Sequence, residues 1–170
     1  FFFSTGSVVA GWWAGNSLSD ISCSHDRIFV SPRKDPEGLA HAKNAKLISV
    51  FDINSEVNRA VAAEFNAVAV NSVQDLIKSD IDAVYVASPA NMHLDQVIAC
   101  AKGEKHVLCE KPLGMTVKEA DKMIRICSEA GIILGIGLMM RFISQHQAAA
   151  KLITDGKLGK PVYGRAQLSC

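Results

Sequence analysis

From Lys46 onward, short β-rich apolar runs alternate with helix-patterned segments, and that alternation restricts the chain to β-α-β units around a parallel sheet. The run Ile81-Asp-Ala-Val-Tyr-Val-Ala87 is almost wholly apolar, as a central strand covered on both faces must be. Lys46-Leu-Ile-Ser-Val-Phe51, ending at Asp52, Val68-Ala-Val70, His106-Val-Leu-Cys109 and Ile132 to Leu138 read as companion strands. Between them, Ser55 is expected to cap a helix with Val57, Ala60, Val61 and Phe65 on one face, and Ser72 with Asp75 to open the next. Leu94, Val97, Ile98 and Ala101 mark a third helix, with Gly103 as its C-cap. Thr116-Val-Lys-Glu119 is a capping box for a longer helix with Ala120, Met123, Ile124, Cys127 and Ala130 as its buried stripe.

A final amphipathic helix spans roughly Phe142 to Thr154 and stops at Asp155-Gly156. Pro161 to Leu168 reads as one more strand. The expected division is a first α/β domain over residues 1–141 and the opening helix and strand of an incomplete second α/β domain over 142–170. Residues 23–44 break the pattern. Ser31-Pro-Arg-Lys-Asp-Pro-Glu-Gly38 is turn-rich and charged, so the segment reads as an exposed, atypical loop or insertion.

Composition narrows the classes of function. At 49% hydrophobic and 21% charged residues the 170-residue chain is ordinary for a globular protein. Its net charge of +1, with Lys and Arg scattered, offers no basic stripe for nucleic acid. No apolar run approaches the roughly 18 residues that span a bilayer, so neither nucleic acid nor membrane is expected as a partner. Five cysteines, none in a C-x-x-C pair, point to reduced thiols and a cytoplasmic location. The chain opens on Phe1 rather than Met, which suggests a trimmed N-terminus or an imperfect gene model.

In a nucleotide-binding β-α-β unit, backbone N–H groups at a helix start meet the pyrophosphate, and a carboxylate ending the second strand holds the ribose. Asp52 stands at such a strand end. Val9-Ala-Gly-Trp-Trp-Ala14 fits the glycine fingerprint at its second and third key positions and fails at the first. Asp52 follows Gly11 by 41 residues, where about 20 is usual. Taken alone, this loop is equally a buried Trp pair at a strand-to-helix turn. Ala87-Ser-Pro-Ala-Asn-Met-His93 and His106-Val-Leu-Cys-Glu-Lys-Pro-Leu-Gly114 carry more. Both follow strands, on the carboxyl edge where open α/β sheets place ligands. From there the Lys111 ammonium can reach a ribose or a substrate hydroxyl.

Ser88-Pro89 with Asn91 and His93, then Cys109-Glu-Lys-Pro-Leu-Gly-Met-Thr116, Gly137-Leu-Met-Met-Arg-Phe142 and Asp155-Gly-Lys-Leu-Gly159 resemble the glucose-fructose oxidoreductase / inositol dehydrogenase (Gfo/Idh/MocA) family, over about residues 46 to 168. The resemblance implies a Rossmann-type doubly wound parallel sheet that binds NAD(P), followed by a substrate domain. It also implies hydride transfer between nicotinamide and a carbinol of a sugar, cyclitol or related diol. It places Lys111 beside the reacting hydroxyl as the catalytic residue, with Glu110 and Pro112 flanking it. Ser88, Pro89, Asn91 and His93 would line the cofactor, Arg141 would meet it, and Gly11 with Trp12 and Trp13 would form the phosphate turn.

Three of these residues have structural alternatives: Lys111 as a solvated surface lysine, His93 as a helix-start residue satisfied by backbone, and Arg141 as the partner of a carboxylate on the following helix. Met139 and Met140 stand where relatives often carry Asn and another polar residue. No metal site is expected. Asp52, with no Arg or Lys in the next few positions, favours NAD, with NADP as the lesser option. The family's usual downstream Asp/His pair has no counterpart in these residues, so the competing function is an inactive dinucleotide-binding or interaction protein. The full-length form is expected to be a homo-oligomer.

Overall fold

The computed structural model describes residues 26–29, 45–165 and 167. The chain divides into two compact units, Phe1–Leu138 and Met139–Cys170. In the first unit the strands are β1 (Asp26–Phe29), β2 (Ala45–Leu47), β3 (Ser49–Val50), β4 (Val68–Ala69), β5 (Ala83–Val86), β6 (His106–Cys109) and β7 (Leu134–Ile136). Its helices are α1 (Ser55–Glu64), α2 (Val73–Lys78), α3 (His93–Lys102) and α4 (Val117–Glu129).

All pairings are parallel: β2 with β1, β1 with β5, β5 with β6, β6 with β7, and β3 with β4. Only Ile48 separates β2 from β3, and its carbonyl accepts from Val68 N–H at 2.8 Å. The run 45–50 therefore pairs with β1 through its first half and with β4 through its second. Edge to edge the order is β4, β2/β3, β1, β5, β6, β7, the doubly wound order that reverses direction between β1 and β5.

Within residues 23–44, expected to be a loop or insertion, Asp26–Phe29 forms a strand; the rest of the segment lies outside the described residues. Asp-Arg-Ile-Phe is too short and too charged at its start to register as a buried strand in sequence, and only pairing with β2 and β5 defines it. Gly11, Trp12 and Trp13, expected to form the phosphate turn, lie outside the described residues.

The core follows from the apolar runs. Val84, Val86, Val107, Leu108 and Cys109 of the central strands pack with Leu76, Val97, Cys100, Met123 and Cys127 from the helices. On α1 the N-cap is Asn54 rather than Ser55: its Oδ1 accepts from the amides of Glu56 and Val57 at 3.0 and 3.3 Å. Buried Asn58, whose Nδ2 donates to Val70 O at 2.8 Å, takes the inward place expected of Ala60. The other two N-cap residues are as expected: Ser72 accepts from Asp75 N–H at 3.0 Å and Thr116 Oγ1 from Glu119 N–H at 3.2 Å, but the Glu119 carboxylate turns back to accept from the Met115 amide at 2.8 Å rather than from that of Thr116. The α4 stripe is narrower than expected, with Met123 and Cys127 buried and Ile124 53% exposed.

Gly103 closes α3 where that helix meets Ile77 at the end of α2. A Cβ on Gly103 would stand 2.1 Å from the branched Ile77 methyl. Gly103→Ala is therefore expected to cost about 1–3 kcal/mol, read as a lowered denaturation midpoint with an unchanged denaturant slope.

Cys100, Cys109 and Cys127 are free, buried thiols. Burial pushes Cys100 and Cys109 from the ordinary 9.0 up to about 12, aided for Cys109 by the adjacent Glu110 charge, and burial also raises Cys127. These thiols stay neutral in the fold while an unfolded chain ionises near pH 9. The stability they contribute is complete below pH 9 and lost as pH climbs toward 12. At pH 8 a thiol reagent should leave these three unlabelled until denaturant is added; fast native labelling would place them outside the core.

In the second unit, a 3-10 turn (Met139–Phe142) leads into α5 (Ser144–Thr154). Residues 161–165 form no strand, contrary to the sequence expectation, and Val162 is 95% exposed. β-Propensity alone makes no strand, because a strand is defined by a partner's hydrogen bonds.

Candidate functional site

The carboxyl edge of the sheet in the first unit gathers most of the sequence-selected residues, because parallel strands deliver all their C-terminal loops to one side. Two ladder bonds continue past the formal strand ends: Glu110 N–H donates to Val86 O, and Gly137 N–H to Cys109 O, each at 2.8 Å. They set the loops after β5, β6 and β7 side by side.

At the β3 end, Asp52 Oδ1 accepts from Asn54 N–H at 2.7 Å, while Asn54 caps α1. The carboxylate is thus fixed at the start of a helix. Asp52, the 80% exposed Ile53, Pro89, Met92 and Gln96 help line a cleft of about 280 Å³ between the ends of β3 and β5. Its floor is mainly apolar, with Val84, Val86 and Ala87 among the lining residues. An apolar cleft with a fixed carboxylate at its rim suits a nucleoside, whose base is flat and apolar and whose ribose presents a diol.

At the β5 end, Ser88 Oγ donates to Gln96 Oε1 at 2.7 Å, and Ser88 lines the cleft. Pro89 is exposed beside it, and Asn91 is exposed in the 3-10 turn Ala90–Met92. His93 turns the other way. It is 1% exposed, with Nε2 2.9 Å from Ser88 O and Nδ1 3.0 Å from Pro112 O and 3.3 Å from Leu113 O. Of its two sequence readings the structure realises the structural one: His93 ties the β5 loop to the β6 loop from beneath.

Glu110, Lys111 and Pro112 form the β6 loop. Glu110 Oε1 accepts from the Tyr85 hydroxyl at 2.7 Å, and Oε2 from the Lys111 amide at 3.0 Å. Lys111 and Pro112 are exposed at the edge, and no described carboxylate pairs with the Lys111 ammonium. Arg141 belongs to the second unit, exposed in its 3-10 turn. The helix that follows, Ser144–Thr154, carries no Asp or Glu, so it offers no carboxylate partner for Arg141.

Three residues of this site escaped the sequence reading: Tyr85, Gln96 and Gly137. Tyr85 left one signal, a hydroxyl in a run otherwise made of apolar residues and Asp82, since a buried Tyr needs a partner for its OH. Among the described residues no cluster of His, Cys, Asp or Glu could hold a metal ion, and no helix is long and apolar enough to cross a membrane.

A doubly wound sheet with a helix-anchored carboxylate after its second strand and a cleft at the order reversal defines a nucleotide-binding Rossmann domain. Comparison with known proteins is more specific. The model of an oxidoreductase family with an NAD-binding Rossmann fold, GFO/IDH/MocA, matches residues 31–138. The chain is 36% identical over 131 residues to a 1,5-anhydro-D-fructose reductase of Ensifer adhaerens, covering 75% of this chain and 39% of that protein. It is 34% identical over 132 residues to a myo-inositol 2-dehydrogenase of Thermotoga maritima, covering 73% and 40%. Among solved structures, the WlbA dehydrogenase of Bordetella pertussis, in complex with NADH and UDP-GlcNAcA, superposes with a TM-score of 0.75 at 26% identity, over 80% of this chain and 41% of that one.

The chain belongs to the Gfo/Idh/MocA oxidoreductase family. It spans about two fifths of the length of these relatives.

Proposed function

We propose that the chain forms the cofactor-binding part of an NAD-dependent oxidoreductase acting on a carbinol of a sugar, cyclitol or related diol. The observation that carries this reading is the alignment on one sheet edge of the Asp52 cleft and the Glu110-Lys111-Pro112 loop. Asp52 would hold the adenosine ribose diol, and the loop of Ser88, Pro89 and Asn91 would flank the cofactor. His93 supports that loop rather than touching the ligand. When bound, NAD supplies the hydride acceptor or donor. Lys111, exposed at the same edge, then donates a hydrogen bond to the reacting oxygen or relays its proton. Relatives that reduce anhydrofructose or oxidise myo-inositol support the substrate class.

The three buried free thiols fit a reducing cytoplasm. A homo-oligomer is the proposed state of the working enzyme, with a small polyol or sugar as its partner and neither nucleic acid nor membrane.

Fluorescence titration with both cofactors tests the nucleotide assignment. NAD should bind more tightly than NADP, because the Asp52 carboxylate accepts from a ribose diol and repels a 2′-phosphate. Asp52→Ala should weaken NAD about tenfold while leaving NADP binding equal or better, a difference near 1.4 kcal/mol. Tighter NADP binding by the unaltered chain would overturn the role of Asp52.

A further inference from the structure

We propose that Tyr85 is a positioning residue: its hydroxyl anchors the Glu110 carboxylate so that this group grips the Lys111 backbone instead of capturing the Lys111 ammonium. The proposal rests on Lys111 being the residue that meets the reacting hydroxyl.

Three strand ends converge on one carboxylate. From β5, the Tyr85 hydroxyl donates to Oε1 at 2.7 Å. From β6, the Lys111 amide donates to Oε2 at 3.0 Å. From beyond β7, Gly137 abuts the group so closely that a Cβ there would stand 3.1 Å from Oε1 and 3.3 Å from the carboxyl carbon. Each oxygen holds a donor, and the Gly137 backbone occupies the space on one side. A bond from a neutral hydroxyl to a carboxylate is charge-assisted and about twice as strong as a neutral one.

Without that anchor, Glu110 would be a flexible carboxylate one residue from an exposed ammonium, and an ion pair would be its nearest source of compensation. The pair would turn the ammonium away from the cleft and occupy its donors. Tyr85 is nearly buried, so its OH serves a partner rather than solvent. Gly137 is buried against the carboxylate, so a Cβ at 137 would require the carboxylate to give way by a few tenths of an ångström.

The test uses Tyr85→Phe, Glu110→Gln and the double variant of the whole chain, each first shown to melt cooperatively. Acetylation by an N-hydroxysuccinimide ester is followed at Lys111 by peptide mass spectrometry, with exposed Lys118 and Lys122 as internal references. Tyr85→Phe should slow labelling of Lys111 at least threefold relative to the references. Adding Glu110→Gln should restore it, because a carboxamide cannot hold the ammonium. Equal labelling of Lys111 in Tyr85→Phe and the unaltered chain would overturn the proposal, as would an equal loss in the double variant. Should Tyr85→Phe fail to fold, Gly137→Ala replaces it, displacing the same carboxylate from the other side with the same expected slowing and the same rescue.

In the working enzyme, with polyol and NAD, Tyr85→Phe should lower kcat about tenfold with an unchanged KM for NAD, a split that general loosening of the fold would not produce. NAD titration of the unaltered chain is run in parallel. Failure to bind NAD would sink the functional reading while the labelling result still judges Tyr85.

Discussion

Replacing Lys111 by Ala is expected to reduce turnover by about a hundredfold to ten-thousandfold in the working enzyme while changing NAD affinity no more than a few-fold. The asymmetry follows from where the side chain stands. The nucleoside end of the site is built from Asp52 and the cleft beneath it, none of which Lys111 lines. Its backbone amide, which anchors Glu110, is retained in the Ala variant, so the loop should keep its form. What is lost is the ammonium, with no described carboxylate paired to it and therefore with donors available to a reacting oxygen. Such an interaction strengthens as negative charge develops on that oxygen, which makes it a kcat effect. Lys111→Arg should recover little, because a planar guanidinium does not reproduce a compact point charge. Steady-state kinetics with parallel cofactor titration makes the measurement, and an unchanged rate would remove Lys111 from the mechanism.

His93→Ala should act on stability instead, by about 2–4 kcal/mol. Two contributions combine. Removing a fully buried ring opens a cavity, and whichever of the Ser88 and Pro112 carbonyls accepts the ring N–H loses its donor. For a domain of this size the melting temperature should fall by roughly 4–16 °C at 2–4 °C per kcal/mol. A second consequence is local. The β5 and β6 loops are held to one another through this ring, so amide exchange at Ser88 to Met92 and at Lys111 to Leu113 should accelerate more than exchange in β6 itself. A variant as stable as the parent, with exchange unchanged, would show that the ring fills space without tying the loops.

The legible parts of the fold are those where local chemistry and tertiary demand agree. β5 and β6 were readable because a strand covered on both faces must be apolar along its length. The Ser72 and Thr116 caps were readable because the cap and its partner lie within three residues of each other. Legibility failed where a residue's role depends on something distant. β1 reads as part of a charged loop until β2 and β5 flank it, and Pro161 to Leu168 reads as a strand although among the described residues 161–165 take no ladder partner. The boundary between Asn54 and Ser55 as cap was missed because both side chains are competent, and backbone geometry chooses between them.

At the site the same division holds. Asp52, Ser88, Glu110 and Lys111 were found in sequence because each ends a recognisable strand, and a parallel sheet sends every strand end to the same edge. Sequence by itself therefore determined the class of fold, the family, and which residues stand at the carboxyl edge. Which way those side chains turn was decided only in three dimensions. The Glu110 carboxylate finds Tyr85, 25 residues earlier in the chain, and Gly137, 27 residues later, while His93 finds a carbonyl 19 residues on. Such partners meet because neighbouring strands align their ends through the register of the sheet, and register is a property of the assembled ladder that no single strand's sequence contains.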